Sequence, residues 1–329
     1  MLNPKLHLNP KLFDTDVEQK ATRDGYGEAL VALGEADKRV VALTADLAES
    51  TRTEAFATKF PERFFECGVA EQNMAAIAAG LAVTGKIPFI SSYATFSPGK
   101  NLETIRTTII YNNANVKIAG HHSGIMTGPD GATHQATEDI AIMRALPDVQ
   151  VVVPCDAIEA KKATMAAGTY VGPVYLRFTR DKTPLITTED TPFDGTVQQF
   201  WVTDHPVVTI FATGYMLMYA LLAAKELEGE GISVIVANVA SIKPLDEATV
   251  LSLVQESGAA VTVEDHQVMG GLGGLIAEVC AKNHPVPMEF IGLQNTFGES
   301  GKPAELIEKY GMGKESIKQA VKKVIERKK

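Results

Sequence analysis

Cysteine is scarce: Cys67, Cys155 and Cys280 are the only three in 329 residues, and they lie far apart without a paired spacing. That scarcity excludes a disulfide framework and a zinc knuckle, and it fits a reducing compartment, so the cytoplasm is the expected location. Positive charge is also short. A formal net charge of -9 and a pI near 5.4 oppose a nucleic-acid or anionic-membrane surface, since such partners are held chiefly by Lys and Arg. The opening MLNPKLHLNPKLFDTD has no charged start followed by an apolar core and a small-residue cleavage site, so no secretory signal is read there; its repeated NPKL reads as an extended arm. There is no Walker A loop, no longer repeat and no low-complexity tract. The one GxGxxG-like run, GGLGG around Gly270 to Gly274, is a weak dinucleotide match.

Long uncharged runs are almost absent as well. Pro206 to Ala224 is the exception, with about the length of a membrane span. VVTIFATG reads better as a buried strand ending at a glycine turn, and YMLMYALLAAKEL as the helix after it, so no span is expected.

What is present is alternation. GEALVALGEAD is followed by VVALTA, QNMAAIAAGLAV by IPFISSY, LETIRTTIIY by NVKIAG, EDIAIMRAL by VQVVVP, and AIEAKKATMAAG by PVYLRF. Helix-like and strand-like runs in this order predict an α/β fold with a mostly parallel sheet covered on both faces. A stretch rich in Thr, Asp and Pro, DKTPLITTEDTPFDGTVQQFWVTDHP, shows no sustained period and reads as a connector. A second doubly wound unit follows, with strands VVTIFA, ISVIVANV, AAVTVED and MEFIGL and the closing charged helix KESIKQAVKKVIERKK. The expected division is an arm over 1–20, a first domain over 21–186, a linker over 187–205 and a second domain over 206–329.

Polar groups cluster at the ends of these strands. In ECGVAEQNMAAIAAGLA, Glu71 opens a helix of small and apolar residues; an acid suits a helix start, and the small-residue helix behind it is able to pack closely against a partner and bury the carboxylate at an interface. In HHSGIMTGPDGATHQATEDIAIMRALP, Asp130 and Gly131 mark a turn, Thr133 is expected to cap the next helix, and His134 to stand at that helix's start. TADLAESTR and YLRFTRDKTP place Asp46, Ser50 and Arg180 just after strands, where open α/β sheets bind ligands. A guanidinium there suits a phosphate dianion.

Taken together, GVAEQNM, DGATHQ, TADLAEST and the R-F-T-R beyond them resemble the pyrimidine-binding domain of transketolases, and VEDHQVMGGLG and FGESGKPAELIEKYG resemble that family's C-terminal domain. The resemblance implies thiamine diphosphate as cofactor and a transferred two-carbon ketol unit, passed from a ketose phosphate to an aldose phosphate. It makes Glu71 the acid that binds N1′ of the cofactor's aminopyrimidine, favouring the imino tautomer that takes the C2 proton. It puts Phe96 against the aminopyrimidine and Asp46 in the cofactor pocket in an orienting role. His134 and His122 fall near the donor's first carbons, with Asp130 on a substrate hydroxyl and Arg23, Ser50 and Arg180 around the phosphate. After Phe96 the pattern departs from the single-chain enzymes: Ser97, Pro98, Gly99 and Lys100 stand where further aromatics are usual, and Tyr93 is a weaker aromatic contact.

The family holds magnesium and diphosphate with a GDG motif, and none occurs here. The resemblance therefore implies a separate N-terminal partner subunit that holds Mg2+ or another divalent ion, with no metal ligand from this chain, and an α2β2 heterotetramer of the two subunits. Two neighbouring families share parts of the pattern. A deoxyxylulose-phosphate synthase half has the same AEQ and D-G-x-T-H-Q runs, but the ADLAEST loop favours transketolase. E1 β subunits of 2-oxo-acid dehydrogenases split in the same way but typically lack the T-H-Q histidine. A non-catalytic assembly subunit would have no chemical need for Glu71, His122, Asp130, His134 and Arg180 together.

Overall fold

A computed structural model describes residues 1–328. In chain order the first unit runs β1 (Gln19–Ala21), α1 (Thr22–Ala36), β2 (Val40–Thr44), α2 (Glu54–Lys59), β3 (Phe64–Glu66), α3 (Glu71–Val83), β4 (Ile87–Tyr93), α4 (Leu102–Thr104), β5 (Lys117–His121), α5 (Asp139–Ala145), β6 (Gln150–Val152), α6 (Ala157–Thr169), β7 (Val174–Arg177) and β8 (Lys182–Pro184). The second runs β9 (Gln198–Trp201), β10 (Val208–Ala212), α7 (Met216–Gly229), β11 (Val234–Asn238), β12 (Ser241–Lys243), α8 (Glu247–Ser257), β13 (Ala260–Gln267), α9 (Leu272–Asn283), β14 (Met288–Leu293), α10 (Pro303–Lys309) and α11 (Lys314–Glu326).

Two mostly parallel sheets result. The seven-stranded sheet has the order β12-β6-β7-β5-β4-β2-β3 and the five-stranded one β14-β13-β10-β11-β9. Every residue of β2, β5, β10 and β11 is buried, because helices cover both faces; that is why β2, β10 and β11 read as largely apolar runs rather than alternating ones. On one face α1 and α6 pack through Leu30, Leu33, Ala160, Ala163 and Ala167. They approach so closely that a Cβ on Gly25 would stand 1.9 Å from the Ala157 carbonyl oxygen. On the other face a single apolar cluster joins Val41, Ile90 and Ile118 of the first sheet to Phe211, Ile235 and Leu272 of the second unit.

Four readings change. The N-terminal arm is not simply extended: it makes a short 3-10 turn at Pro4–Leu6, buries Leu12, and pairs Leu2 with Trp201. The expected linker contributes β9, antiparallel to β11, because QQFW supplies apolar side chains to the second sheet's edge. LETIRTTIIY is helical, but after Thr104 it widens to a π-helix over Ile105–Ile110. Finally, β12, read as part of the second unit, crosses back to pair antiparallel with β6. Pro206 to Ala224 folds as β10 and α7, and among the described residues no helix is long and apolar enough to cross a membrane.

Candidate active site

Strands β2, β4, β5 and β7 run parallel, so their C-terminal ends open on one side of the sheet, where such folds bind ligands. Glu71 lies at the start of α3 and is only 2% exposed. The chain buries this carboxylate by itself, without the interface expected from the small-residue helix. Glu71 Oε2 accepts a 2.8 Å hydrogen bond from Lys100 Nζ, and its backbone carbonyl accepts one from Asn101 Nδ2. Lys100 and Asn101 were not singled out in the sequence. Their only signal was the departure after Phe96, where the segment SPGKN turns back against α3.

An aromatic stack stands beside this carboxylate. Tyr93 lies face to face with His122 at 3.9 Å and nearly parallel to Phe96 at 5.7 Å, while His134 meets Phe96 edge-on at 5.4 Å. His122 follows β5 with φ of 52° and is buried, its Nδ1 without a hydrogen-bond partner. Burial, then the charges of Arg23, Arg180 and Arg52, push its pKa down to about 3. Its neighbour His121 is fully buried between Tyr26 and Phe178, and burial followed by the His122 and arginine charges pushes it well below the usual imidazole range. Both imidazoles are therefore neutral near pH 7, donors and acceptors rather than anion-binding charges.

The sign of this shift gives a stability prediction. Below the ordinary histidine pKa of 6.5 the unfolded chain takes up protons that native His122 refuses, so stability falls as pH drops from 6.5 toward 3. Thermal midpoints of the wild type should therefore fall more steeply over this range than those of His122→Gln, and parallel profiles would show that His122 is not held neutral.

His134 does not stand at a helix start. It lies in the turn following Gly131, and α5 begins five residues later at Asp139. Thr133 caps no helix; its Oγ1 lies 3.0 Å from His134 Nδ1, so the Thr-His pair is a local turn interaction. The half-buried ring still reaches Phe96 and Tyr93, and thus the stack.

Guanidinium groups line the far side. Arg23, on the first turn of α1, donates from Nη1 to the Ser50 carbonyl at 2.9 Å, while its Nε is buried without a partner. Burial first, then the charge of Arg52, lowers its pKa. Ser50 thus contributes its backbone to Arg23. Arg180 Nη1 donates to the Thr127 carbonyl at 2.9 Å and to Asp130 Oδ1 at 3.0 Å, and that ion pair is only about 30% exposed on either side. Asp46 is exposed, with φ of 62°; its amide donates to Glu66 Oε1 at 2.7 Å, and its carboxylate has no partner among the described residues. No group of three or more His, Cys, Asp or Glu among the described residues could hold a metal ion.

The glycine run at α9 is not open to a nucleotide. The buried Glu264 carboxylate already accepts the amides of Leu272 and Gly273 at 2.7 and 2.8 Å, filling the place a phosphate would take at a helix N-terminus.

A family profile, the transketolase pyrimidine-binding domain, matches residues 18–185. The chain belongs to the transketolase family. The transketolase C-terminal domain matches residues 201–317, so the chain corresponds to the C-terminal section of a transketolase, in a family dependent on thiamine diphosphate. A Methanocaldococcus jannaschii protein named as a transketolase C-terminal section is 46% identical over 301 residues, covering 91% of this chain and 94% of that one. A 6-deoxy-6-sulfo-D-fructose transketolase subunit of Clostridium sp. strain MSTE9 is 38% identical over 316 residues, covering 96% and 98%. Among solved structures, one described as a split-gene transketolase, inactive β4 tetramer, superposes with a TM-score of 0.87 at 44% identity, covering 94% of this chain and 99% of that one.

Proposed function

We propose that the chain is the C-terminal subunit of a split transketolase that moves a two-carbon ketol unit from a ketose phosphate to an aldose phosphate, on thiamine diphosphate shared with an N-terminal partner subunit. The observation that carries this reading is the buried Glu71 carboxylate held by Lys100, in the turn whose backbone closes on Phe96 of the ring stack, with Arg23 and Arg180 charging the surroundings of His122 in that stack. The residues fit the cofactor's pyrimidine half. A buried acid is what N1′ requires, the rings of Phe96 and Tyr93 offer a flat stacking face for an aminopyrimidine, and the buried, unpartnered Nδ1 of His122 is left for the sugar. With no GDG motif in this sequence, the diphosphate and its divalent ion, Mg2+ or another, would be held by the partner.

When bound, thiamine diphosphate supplies a nucleophilic carbon and an electron sink for breaking and making a carbon-carbon bond. Glu71 holds a proton at N1′, Phe96 and Tyr93 orient the pyrimidine, and Asp46 borders the same pocket. Neutral His122 and half-buried His134 hold and pass hydroxyl protons of the sugar. Asp130 reads a further hydroxyl. Arg23, oriented by the Ser50 carbonyl that it donates to, and Arg180 hold the anionic end of the sugar. The reaction would serve the pentose phosphate pathway in the cytoplasm, in an α2β2 complex. The Clostridium relative's name pairs a transketolase subunit with a sulfonated sugar, and an arginine pair of this kind suits a phosphate or a sulfonate end alike.

Mixing the chain with its N-terminal partner, thiamine diphosphate and Mg2+ should give ketol transfer from xylulose 5-phosphate to ribose 5-phosphate, detected only when both subunits are present. Calorimetry should find no tight cofactor binding by the chain alone; submicromolar binding without a partner would overturn the split-site reading. Arg180→Ala should raise KM for phosphorylated donors about ten- to a hundred-fold, the worth of a charge-assisted contact, and leave unphosphorylated ketoses much less affected. Equal losses on both would remove Arg180 from the phosphate site.

A further inference from the structure

The substrate-side loop of the first unit is held from the second. After β5 the chain passes through His122 at φ 52° and Gly124 at φ 72° into a 3-10 turn at Ile125. Within this loop Thr127 Oγ1 donates to the His122 carbonyl at 2.5 Å, and the Thr127 carbonyl accepts Arg180 Nη1 at 2.9 Å. Two residues of the proposed sugar site therefore depend on how the 122–127 segment is set.

The carboxylate of Asp265, at the end of β13, reaches into this loop. It is 2% exposed, and its two oxygens accept the amides of Ile125 at 3.0 Å and Met126 at 3.4 Å. Tyr215, at the start of α7, donates its hydroxyl to the same carboxylate at 2.8 Å. The approach is possible only because residue 124 is glycine: a Cβ there would stand 2.0 Å from Asp265 Oδ2. Arg177 ties down the other side of the strand end, donating from Nη2 to the Asp265 carbonyl at 2.8 Å. A buried carboxylate that accepts two loop amides and a phenol is a rigid anchor, since each of these donors is left unsatisfied in a dry site if it departs.

We propose that Asp265 is a positioning residue for ketol transfer: from the C-terminal unit it clamps the Gly124–Met126 turn, and so fixes His122 and the Thr127 carbonyl that aims Arg180. The proposal rests on the transketolase reading of the site. It gives the second unit a part in substrate alignment in addition to its place in the packing, and it predicts a signature that loss of stability alone does not produce.

The test compares Asp265→Asn with Tyr215→Phe, which keeps the carboxylate and removes only one of its donors. Hydrogen-deuterium exchange of the full chain should show segment 122–128 exchanging at least about tenfold faster in Asp265→Asn, with β4 and α11 unchanged, and a smaller rise in Tyr215→Phe. In the complex with the partner subunit, kcat/KM for xylulose 5-phosphate should fall about tenfold or more for Asp265→Asn and less for Tyr215→Phe, while the thiamine diphosphate concentration for half-maximal activity stays at the wild-type value, since Glu71 and Phe96 lie outside the clamp. Unchanged protection of 122–128 would overturn the clamp, and so would wild-type kcat/KM in a variant whose loop has loosened. Equal losses in donor and cofactor dependence would show general damage and also overturn it. If the wild-type complex shows no ketol transfer, the functional reading fails, while the exchange measurement still decides whether Asp265 holds the loop.

Discussion

Glu71→Gln in the complex with the partner subunit is expected to lower turnover about a hundred- to ten-thousand-fold, the range for losing a general acid-base group, while the chain stays folded and assembled. The amide preserves shape and keeps an oxygen for Lys100, which reaches this side chain from a position about half exposed. Losing an ion pair with so exposed a partner costs about 0–1 kcal/mol, too little to unfold the chain. What the amide cannot do is hold the proton that N1′ needs. Hydrogen-deuterium exchange at C2 of the cofactor in the loaded complex isolates this step from substrate binding. Near-wild-type exchange in a folded, cofactor-loaded variant would reduce Glu71 to an ordinary helix-start acid and remove the main support for a catalytic role.

Asp139→Ala should destabilise the chain strongly, by about 3–5 kcal/mol. Asp139 and Arg177 are both almost fully buried, paired through Arg177 Nε at 2.8 Å and Nη2 at 3.1 Å, and Tyr175 donates its hydroxyl to the same carboxylate at 2.6 Å. Burial alone would raise the Asp139 pKa, yet the Arg177 charge and these hydrogen bonds leave it below the usual carboxylate range. Removing the carboxylate strands a guanidinium in the interior. The comparison is Glu305→Ala, which breaks the exposed Lys302–Glu305 bridge and should cost no more than about 1 kcal/mol. Unfolding midpoints of the two variants that differ by less than the experimental error would show that the buried pair is not structurally important.

Much of this architecture was legible in the sequence because buried parallel strands leave a clear trace: VVALT, VTIFA and VIVAN are apolar but for one Thr or Asn each, and helical runs separate them. The short edge strands were not. Phe64–Glu66 and Ser241–Lys243 are only three residues each, too few to show a period, and their place is decided by which sheet edge they meet. The site shows the same division. Strand ends pointed to Asp46, Ser50 and Arg180, since position relative to a strand is a local property, whereas His122 came from the family resemblance. His134 was misplaced by several residues because Gly131 and Thr133 look like the opening of a helix, whereas Glu138 and Asp139 begin it. Lys100 and Asp265 were missed for a different reason. Their roles depend on contacts across 29 and about 140 residues of chain, which no local pattern encodes.

The return of β12 to the first sheet has a consequence during synthesis. Residues 241–243 supply the neighbour on the open side of β6, where Ser241 faces Val152 and Lys243 faces Val151. A ribosome that has released only the first 186 residues has therefore made every other strand of the seven-stranded sheet, yet the edge at Gln150–Val152 still shows unpaired amides and carbonyls over apolar side chains. Such an edge is a template for the wrong strand. The nascent chain must travel about 57 residues further before the cap arrives, and through that interval the half-made protein depends on dilution or a chaperone to keep two copies from joining along it.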